Sequence, residues 1–393
     1  MRSKKKMLGV VVRQSAVLED RKPSLGKWRE ICILEGIQDS GHECRLVCSS
    51  FDHYSMSQRK ITQKKSFYKR IFLKSPGYSN TSSVLRIIDA WIFSIKLFRY
   101  LYRCRKQIDY VIVSFPTPES SFIVSLFTRY MKVYVDVRDA WPTVFNLKGP
   151  KNFLFSLYCK ILFKITLKRC NGVIAMSHAM GKHALNYNKD INIEVIVNPI
   201  SEPSTEYVDM SGHPEYQNVK LQDNSFMSFF FAGTLNQQFD FKIIHKASKI
   251  LDEQNIKHRF LIAGDGKNYN MLSNKYNGSN LIFLGQLDKN ICDEYAKICD
   301  GLFCFYKDKS FKGHLTNKLL DYIRFKKFIF HNLGNNFIIN NQRVSIGYNI
   351  DTAEDLCFLV SKFIKNELKQ DGIIDAILTR ETFGRKITEF MNR

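Results

Sequence analysis

Short apolar runs alternate with helical patterns along this chain, and the alternation occurs twice. In the first half the strand-like runs are "MLGVVV" (7–12), "HECRLVCS" (42–49), "YVIVSF" (110–115), "KVYVDV" (132–137), "GVIAMS" (172–177) and "IEVIVN" (193–198). "KWREICILEGIQDSG" (27–41) spaces its apolar residues helically and stops on glycine. Strands that alternate with helices must pair in parallel, because a crossover helix returns the chain to the same edge. From Ser201 to Ser225 the chain turns polar and holds Pro203 and Pro214, the composition of a connector. The alternation then restarts with "FMSFFFAG" (226–233), "RFLIAG" (259–264), "LIFLG" (281–285), "GLFCFY" (301–306) and "KFIFHN" (327–332). The expected plan is α/β in two domains, 1–200 and 226–372, joined by a linker at 201–225, with a closing helix at 373–393 packed back on the first domain. Ligands in such sheets sit beyond the carboxyl ends of the strands.

Charge divides the halves more sharply than composition does. Residues 1–200 carry 34 Lys and Arg against 14 Asp and Glu, so nearly all of the formal net charge of +22 lies there. That half is expected to meet an anionic partner. The 10 cysteines form no C-x-x-C pair, which points to reduced thiols rather than zinc ligands. Met1–Val12 is basic then apolar like a signal peptide, but Arg13 interrupts the run and no small-residue cleavage site follows, so export is not expected. No run reaches the roughly 18 uncharged apolar residues of a membrane span.

Four stretches carry chemistry. "YVDVRDAWPT" (134–143) begins as a buried strand and then places Asp136, Arg138 and Asp139 within four positions, before Trp141 and Pro142. These groups either line a binding site or form a structural ion-pair cluster at a strand end. "FFFAGTLNQ" places Gly233 where a strand gives way to a turn, suited either to an ordinary bend or to close approach of a phosphate. "LIAGDGK" repeats the pattern at Gly264 and Gly266. Neither is a complete G-x-G-x-x-G, and no P-loop occurs, which disfavours a Rossmann oxidoreductase or a P-loop NTPase. In "KGHLTNKLLDYIRFKKFIF" (312–330), Thr316 or Asn317 can cap a helix and Lys318 falls in its first turn. A cation is unfavourable there unless an anion joins it. Asp321, one turn on, can accept hydrogen bonds from hydroxyls.

Five stretches in order, "GHECRLVCSSFDHYS", "VDVRDAWP", "VIVNPI", "FAGTLNQQ" and "TNKLLDYIRFKKFIF", resemble bacterial family-4 glycosyltransferases of the GT-B fold. The likeness is to surface-polysaccharide transferases (O-antigen or capsule type) with an Asp-x-Arg-Asp-x-Trp-Pro signature. It implies two Rossmann-like domains facing each other across a cleft. It also implies transfer of a sugar from a nucleotide diphosphate, UDP by family habit, with retention of configuration. By resemblance, Lys318 would bind the donor diphosphate and Asp321, where relatives have a glutamate, the ribose hydroxyls. Gly233 and Thr234 would form the phosphate loop, with Asn236 and Asn317 beside it. Leu287 would enclose the base, and Gly26 would face the donor from the first domain. Arg138 and Asp139 fall near a histidine-containing pair of many relatives and, with Lys318, form the expected catalytic set; Asp136 would help to orient substrate. Two departures stand out. Gly313 occupies the place of a second glutamate, and Asn236, Gln237 and Gln238 replace a common Arg/Lys pair. No D-x-D triplet is present to hold a metal on the diphosphate, so metal-independent transfer without a resident cofactor is expected.

The basic half suits a lipid-linked saccharide acceptor on an anionic membrane. "SQRKITQKKSFYKRIFLK" (57–74) mixes cations with Phe67, Tyr68, Ile71 and Phe72, the composition of a surface-lying segment. "FLFSLYCKILFKITLKR" (153–169) is read first as a core helix and second as a membrane contact. The expected location is the cytoplasmic side of the cell membrane, peripherally attached. Nucleic-acid binding is the rival use of the charge, but no nucleic-acid motif occurs. A nucleotide-sugar epimerase is the rival use of the fold.

Overall fold

The computed structural model describes residues 6–16, 29–53, 55–59, 66–80, 84–142, 150–200, 207–220, 226–235, 238–313, 315–339, 342–368 and 380–392. These form two compact units: one comprises the described residues to Pro199 plus the C-terminal helix, the other those from Ile200 to 368. In the first unit the order is β1 (Leu8–Val12), α1 (Arg29–Asp39), β2 (Glu43–Ser49), β3 (Phe51–Asp52), β4 (Ser57–Gln58), β5 (Lys69–Leu73), α2 (Val84–Cys104), β6 (Tyr110–Phe115), α3 (Pro118–Ser125), β7 (Lys132–Val137), α4 (Pro150–Arg169), β8 (Gly172–Ala175), α5 (His178–Leu185) and β9 (Ile193–Val195). Its parallel sheet runs β5-β2-β1-β6-β7-β8-β9, so the order reverses between β1 and β6.

Side chains of this sheet alternate between two helical layers. Val10, Val111, Val113, Val133, Val135 and Val137 share one core with Phe93 and Leu97 of α2, Phe127 beyond α3, and Phe163 of α4. Tyr134 turns to the opposite face, where its ring centroid lies 5.6 Å from that of Phe390. Phe390 belongs to the last helix, α12 (Arg380–Asn392). α12 crosses α1 at Gly36 and Gly384, and a Cβ on Gly36 would come within 2.2 Å of the Gly384 Cα. Two side chains anchor its end, since the Tyr134 hydroxyl donates to the Met391 carbonyl at 3.0 Å and Lys132 Nζ donates to it at 3.2 Å.

β5 is the sheet's edge strand, paired to β2, and Ile71 and Leu73 pack against the core. Two of the apolar residues of 57–74 thus serve packing. Residues 60–65 lie outside the described residues.

The second unit begins with α6 (Pro214–Lys220), a helix within the polar connector; Tyr216 packs edge-on to Tyr295 at 5.7 Å. It continues β10 (Met227–Ala232), α7 (Lys242–Glu253), β11 (His258–Ala263), α8 (Tyr269–Tyr276), β12 (Leu281–Gly285), α9 (Lys289–Ile298), β13 (Gly301–Cys304), α10 (Asn317–Ile323), β14 (Phe328–His331), β15 (Phe337–Ile339), β16 (Gln342–Val344), β17 (Tyr348–Asn349) and α11 (Ala353–Ile364). The sheet is parallel, β12-β11-β10-β13-β14-β17, and reverses between β10 and β13. Phenylalanines dominate its interior: Phe229 stacks on Phe260 at 4.5 Å and meets Phe330 edge-on at 5.4 Å. All ten cysteines are free thiols, and no helix among the described residues is long and apolar enough to cross a membrane.

Candidate functional site

In the second unit, chemistry gathers where the strand order reverses, at the carboxyl end of β10. Thr316 caps α10, its hydroxyl accepting from the Leu319 N–H at 3.3 Å, and this places Lys318 in the first turn. Lys318 Nζ donates to the Ala232 carbonyl, the last of β10. It lies 5.2 Å from the Phe231 ring centroid and 5.8 Å from that of Tyr322. A Cβ on Gly233 would come within 2.7 Å of this nitrogen, so the ammonium group occupies the space that a side chain at 233 would need.

Burial pushes the Lys318 pKa below the ordinary lysine range, while Asp321, Cys304 and Cys292 pull it upward. The two thiols do not act as anions near neutral pH, because burial raises Cys304 to about 12 and Cys292 to about 11. The carboxylate of Asp321 is thus the formal counter-charge of this group. Lys318 nevertheless remains partly accessible. An anion that reached so desolvated a cation would gain more from it than in bulk water.

The glycines of this rim divide into two roles. The φ of Gly264 is +141°, and a Cβ there would lie 1.9 Å from the Gly233 carbonyl oxygen. Gly266 faces the Leu235 carbonyl at 2.5 Å in the same way. Both let the loop after β11 lie backbone to backbone against the loop after β10; Leu235 N–H donates to the Asp265 carbonyl at 2.9 Å. The Gly233 N–H is itself occupied by the Ala263 carbonyl at 2.9 Å. Gly233 therefore leaves room for Lys318 rather than presenting its own amide. Thr234, Asn317 and Asp321 are exposed along the same rim, and Leu287 is half-buried beyond β12. Asn236 lies outside the described residues. Gly313 has φ +78°, a backbone conformation that a glutamate adopts only under strain, with open space around it.

In the first unit, the alternation of β7 sends Asp136 and Arg138 toward the start of α1. Asp136 is fully buried, and its two oxygens accept from Arg29 Nε at 2.8 Å and Arg138 Nε at 2.6 Å. Arg138 Nη1 donates to Glu30 at 2.9 Å, and Arg13 Nε meets the other Glu30 oxygen at 3.4 Å. Arg29 also reaches the Ile196 carbonyl at 2.7 Å and Asn198 at 3.0 Å. Three arginines and two carboxylates thus tie β1, α1, β7 and the strand after β8 together. Asp136 is a positioning residue, because no face of it is open to a ligand. Arg138 is 9% exposed, and its Nη2 is buried without a hydrogen-bond partner. Asp139 is exposed beyond the strand, yet protein crowds it enough for desolvation to raise its carboxyl pKa, against the pull of Arg13. It alone of the three acids and bases in this motif offers an accessible head group. Gly26 lies outside the described residues.

Sequence reasoning missed Arg13, Arg29 and Glu30, which complete the cluster. It also missed the aromatic side of the rim. Arg86 of α2 sits 5.1 Å from the Trp141 ring centroid, and His53 Nδ1 and the Tyr78 hydroxyl share a hydrogen bond of 2.6 Å. Trp141 packs edge-on to Phe155 of α4 at 6.0 Å, so its ring is held in place rather than free to swing. Within three residues of the chain, α1 does carry the pair Arg29-Glu30 at its start, the one signal that could have been read.

No known protein family and no curated protein matches the chain. Solved structures do. Anabaena HepE in complex with UDP and glucose matches at a TM-score of 0.60 and 12% identity, over 98% of this chain and 99% of that one. The lipopolysaccharide outer core galactosyltransferase WaaB matches at 0.60 and 14%, over 98% and 99%. A protein assigned as a UDP-N-acetylglucosamine 2-epimerase from Listeria monocytogenes matches at 0.54 and 10%, over 99% and 96%. Likenesses at this level of identity define architecture. The chain has the GT-B fold, two Rossmann-like α/β domains.

Proposed function

We propose that this protein is a glycosyltransferase whose second domain binds a nucleotide-diphosphate sugar. The observation that carries the reading is Lys318: a desolvated cation over Gly233 at the reversal point of the sheet, on a partly exposed residue, with one carboxylate opposing it. A diphosphate placed there would compete with Asp321 for this cation and pair with it at close range. Transfer breaks the bond between the anomeric carbon and the donor phosphate oxygen, and negative charge grows on that oxygen. Lys318, preorganised in a low-dielectric site, stabilises this charge without reorganisation. Asp321 would take the ribose hydroxyls, Thr234 and Asn317 would flank the phosphates, and Leu287 would border the base. On this reading the first domain would hold the acceptor, with Asp139 receiving a hydroxyl and Arg138 fixing the strand end beside it.

The finer reading is transfer with retention, from a UDP-sugar, to a lipid-linked saccharide on an anionic membrane during surface-polysaccharide assembly. The positive charge of residues 1–200 supports the membrane partner. WaaB and HepE, of the same fold, are respectively a lipopolysaccharide galactosyltransferase and a protein crystallised with UDP and glucose. No D-x-D triplet supports a metal on the diphosphate.

The test is incubation with UDP-sugars and a lipid-linked acceptor extract, followed by analysis of both products. Free UDP together with a glycosylated lipid is expected. A UDP-sugar changed at one ring carbon, with no UDP released, would mean an epimerase of this fold and overturn the proposal.

A further inference from the structure

The first domain carries an apolar and basic outer surface that packing does not explain. Of the 17 exposed large hydrophobic residues among the described residues, ten lie on α2 and α4. These helices flank α3 on one face of the sheet. Each follows the carboxyl end of a strand and returns to the amino end of the next, so α2, α3 and α4 run parallel and all begin at the carboxyl rim. At that end α2 exposes Val84, Leu85 and Ile88, and α4 exposes Phe153, Leu154 and Leu157; Val84 is 70% exposed and Phe153 67%. This is the rim that also bears Asp139 and Trp141.

Further along the same helices exposed cations stand among the remaining exposed apolar residues, Ile95, Phe98 and Tyr102 of α2 and Ile161 of α4. Positions 153, 157, 160, 161, 164 and 168 share one side of α4 at helical spacing. The last of them give exposed Lys160, Lys164 and Lys168, and α2 exposes Arg99 and Arg103. None of the three helices sets an exposed acid beside these cations: α2 and α3 have one acid each, Asp89 and Glu119, and both are buried, while α4 has none. Six exposed apolar side chains at the rim end, with cations among four more behind them, suit an anionic bilayer, in which acyl chains lie beneath phosphate head groups. Nucleic acid would favour the cations but leave these ten apolar side chains without a partner.

We infer that the outer face of α2 and α4, rather than the segment 57–74, is where this protein docks on an anionic lipid bilayer, with the carboxyl rim of the first domain pointing into the head groups. The inference rests on the reading above that this half meets a membrane, and it adds the surface and the orientation. An acceptor held in that bilayer would present its saccharide beside Asp139 without leaving the lipid.

The experiment is sedimentation with vesicles of phosphatidylcholine containing phosphatidylglycerol. Three full-length forms are compared: wild type, the triple variant Lys160→Gln, Lys164→Gln, Lys168→Gln, and the triple variant Phe153→Ser, Leu154→Ser, Leu157→Ser. Each altered residue is exposed, so unchanged melting temperatures are expected. The lysine variant should partition roughly a hundredfold more weakly. The apolar variant should lose the binding that persists at 0.5 M salt. A control, Lys69→Gln with Lys74→Gln, should bind within about threefold of wild type. If wild type ignores the vesicles, membrane attachment itself fails. If wild type binds and both triple variants bind equally well, or the control alone is released, the assignment to α2 and α4 fails. Loss of duplex-DNA binding, or dissolution of a dimer, in place of vesicle release would assign the face to another partner and overturn the proposal.

Discussion

Replacing Asp136 by asparagine separates a structural from a catalytic account of the Asp-x-Arg-Asp motif. The carboxylate has no solvent exposure and accepts from two arginines, at 2.8 and 2.6 Å. Asparagine keeps the shape but turns one acceptor into a donor facing a guanidinium. Arg138 keeps Glu30, and Arg29 keeps the Ile196 carbonyl, but the Nε groups of both lose an anion. Breaking a buried ion pair on one side costs about 3–5 kcal/mol, because the remaining charge stays desolvated. For a unit of about two hundred residues the unfolding entropy at the midpoint is near 0.4 kcal/mol per kelvin, so the first transition should fall by roughly 10 °C. Differential scanning calorimetry would read it, with UDP affinity unchanged since Lys318 belongs to the other unit. Asp139→Asn, at an exposed position, should leave the transition in place and lower turnover. A melting temperature for Asp136→Asn within 2 °C of wild type would refute the reasoning.

Three further outcomes are expected. Gly36→Val cannot be housed against the Gly384 backbone, so α12 should lift from α1, with accelerated amide exchange over 380–392 and a loss of about 1–3 kcal/mol; wild-type protection there would contradict the packing. His331 is buried, accepts at Nδ1 from the Leu333 N–H at 3.1 Å, and has its pKa lowered from 6.5 to about 4 by burial. Its neutral form is the native one, so stability is full above about pH 6.5 and falls by about 3 kcal/mol as pH drops to 4; in urea titrations His331→Gln should lack this component, and an unchanged slope would rule it out. Turnover should persist in excess EDTA, and complete loss restored by manganese would place a metal on the donor diphosphate.

The architecture was legible because parallel strands buried on both faces read as apolar runs, and every strand named from sequence in either half appears in the two sheets. Connectors were less legible. Pro214–Lys220 looked like linker because a seven-residue helix held by Tyr216 on Tyr295 has too few apolar positions to show a period. Lys318 stood out from its unfavourable place in a helix, and the structure adds what sequence could not: the Ala232 carbonyl, the Phe231 ring and the missing side chain of Gly233, all distant in the chain. The ion cluster was half legible. The motif 136–139 showed the charges, but Arg29 and Glu30 lie over a hundred residues away and only the alternation of β7 brings them to Asp136 and Arg138. α4 does serve the core, through Phe163 and Leu167, but its apolar residues encircle the helix, and sequence alone does not tell which of them meet the sheet and which, like Phe153 and Leu154, stay exposed.

Calorimetric titration of UDP into wild type, Lys318→Ala and Lys318→Arg at pH 7 and at pH 9.5 tests the donor site most directly. Wild type should bind at pH 7 and more weakly at pH 9.5, because a lysine with a lowered pKa loses its proton earlier than an ordinary one. Lys318→Arg should show no such loss, and Lys318→Ala should bind roughly 10- to 100-fold more weakly at pH 7, the contribution of one charge-assisted contact. An alanine variant that binds UDP within twofold of wild type would contradict the account.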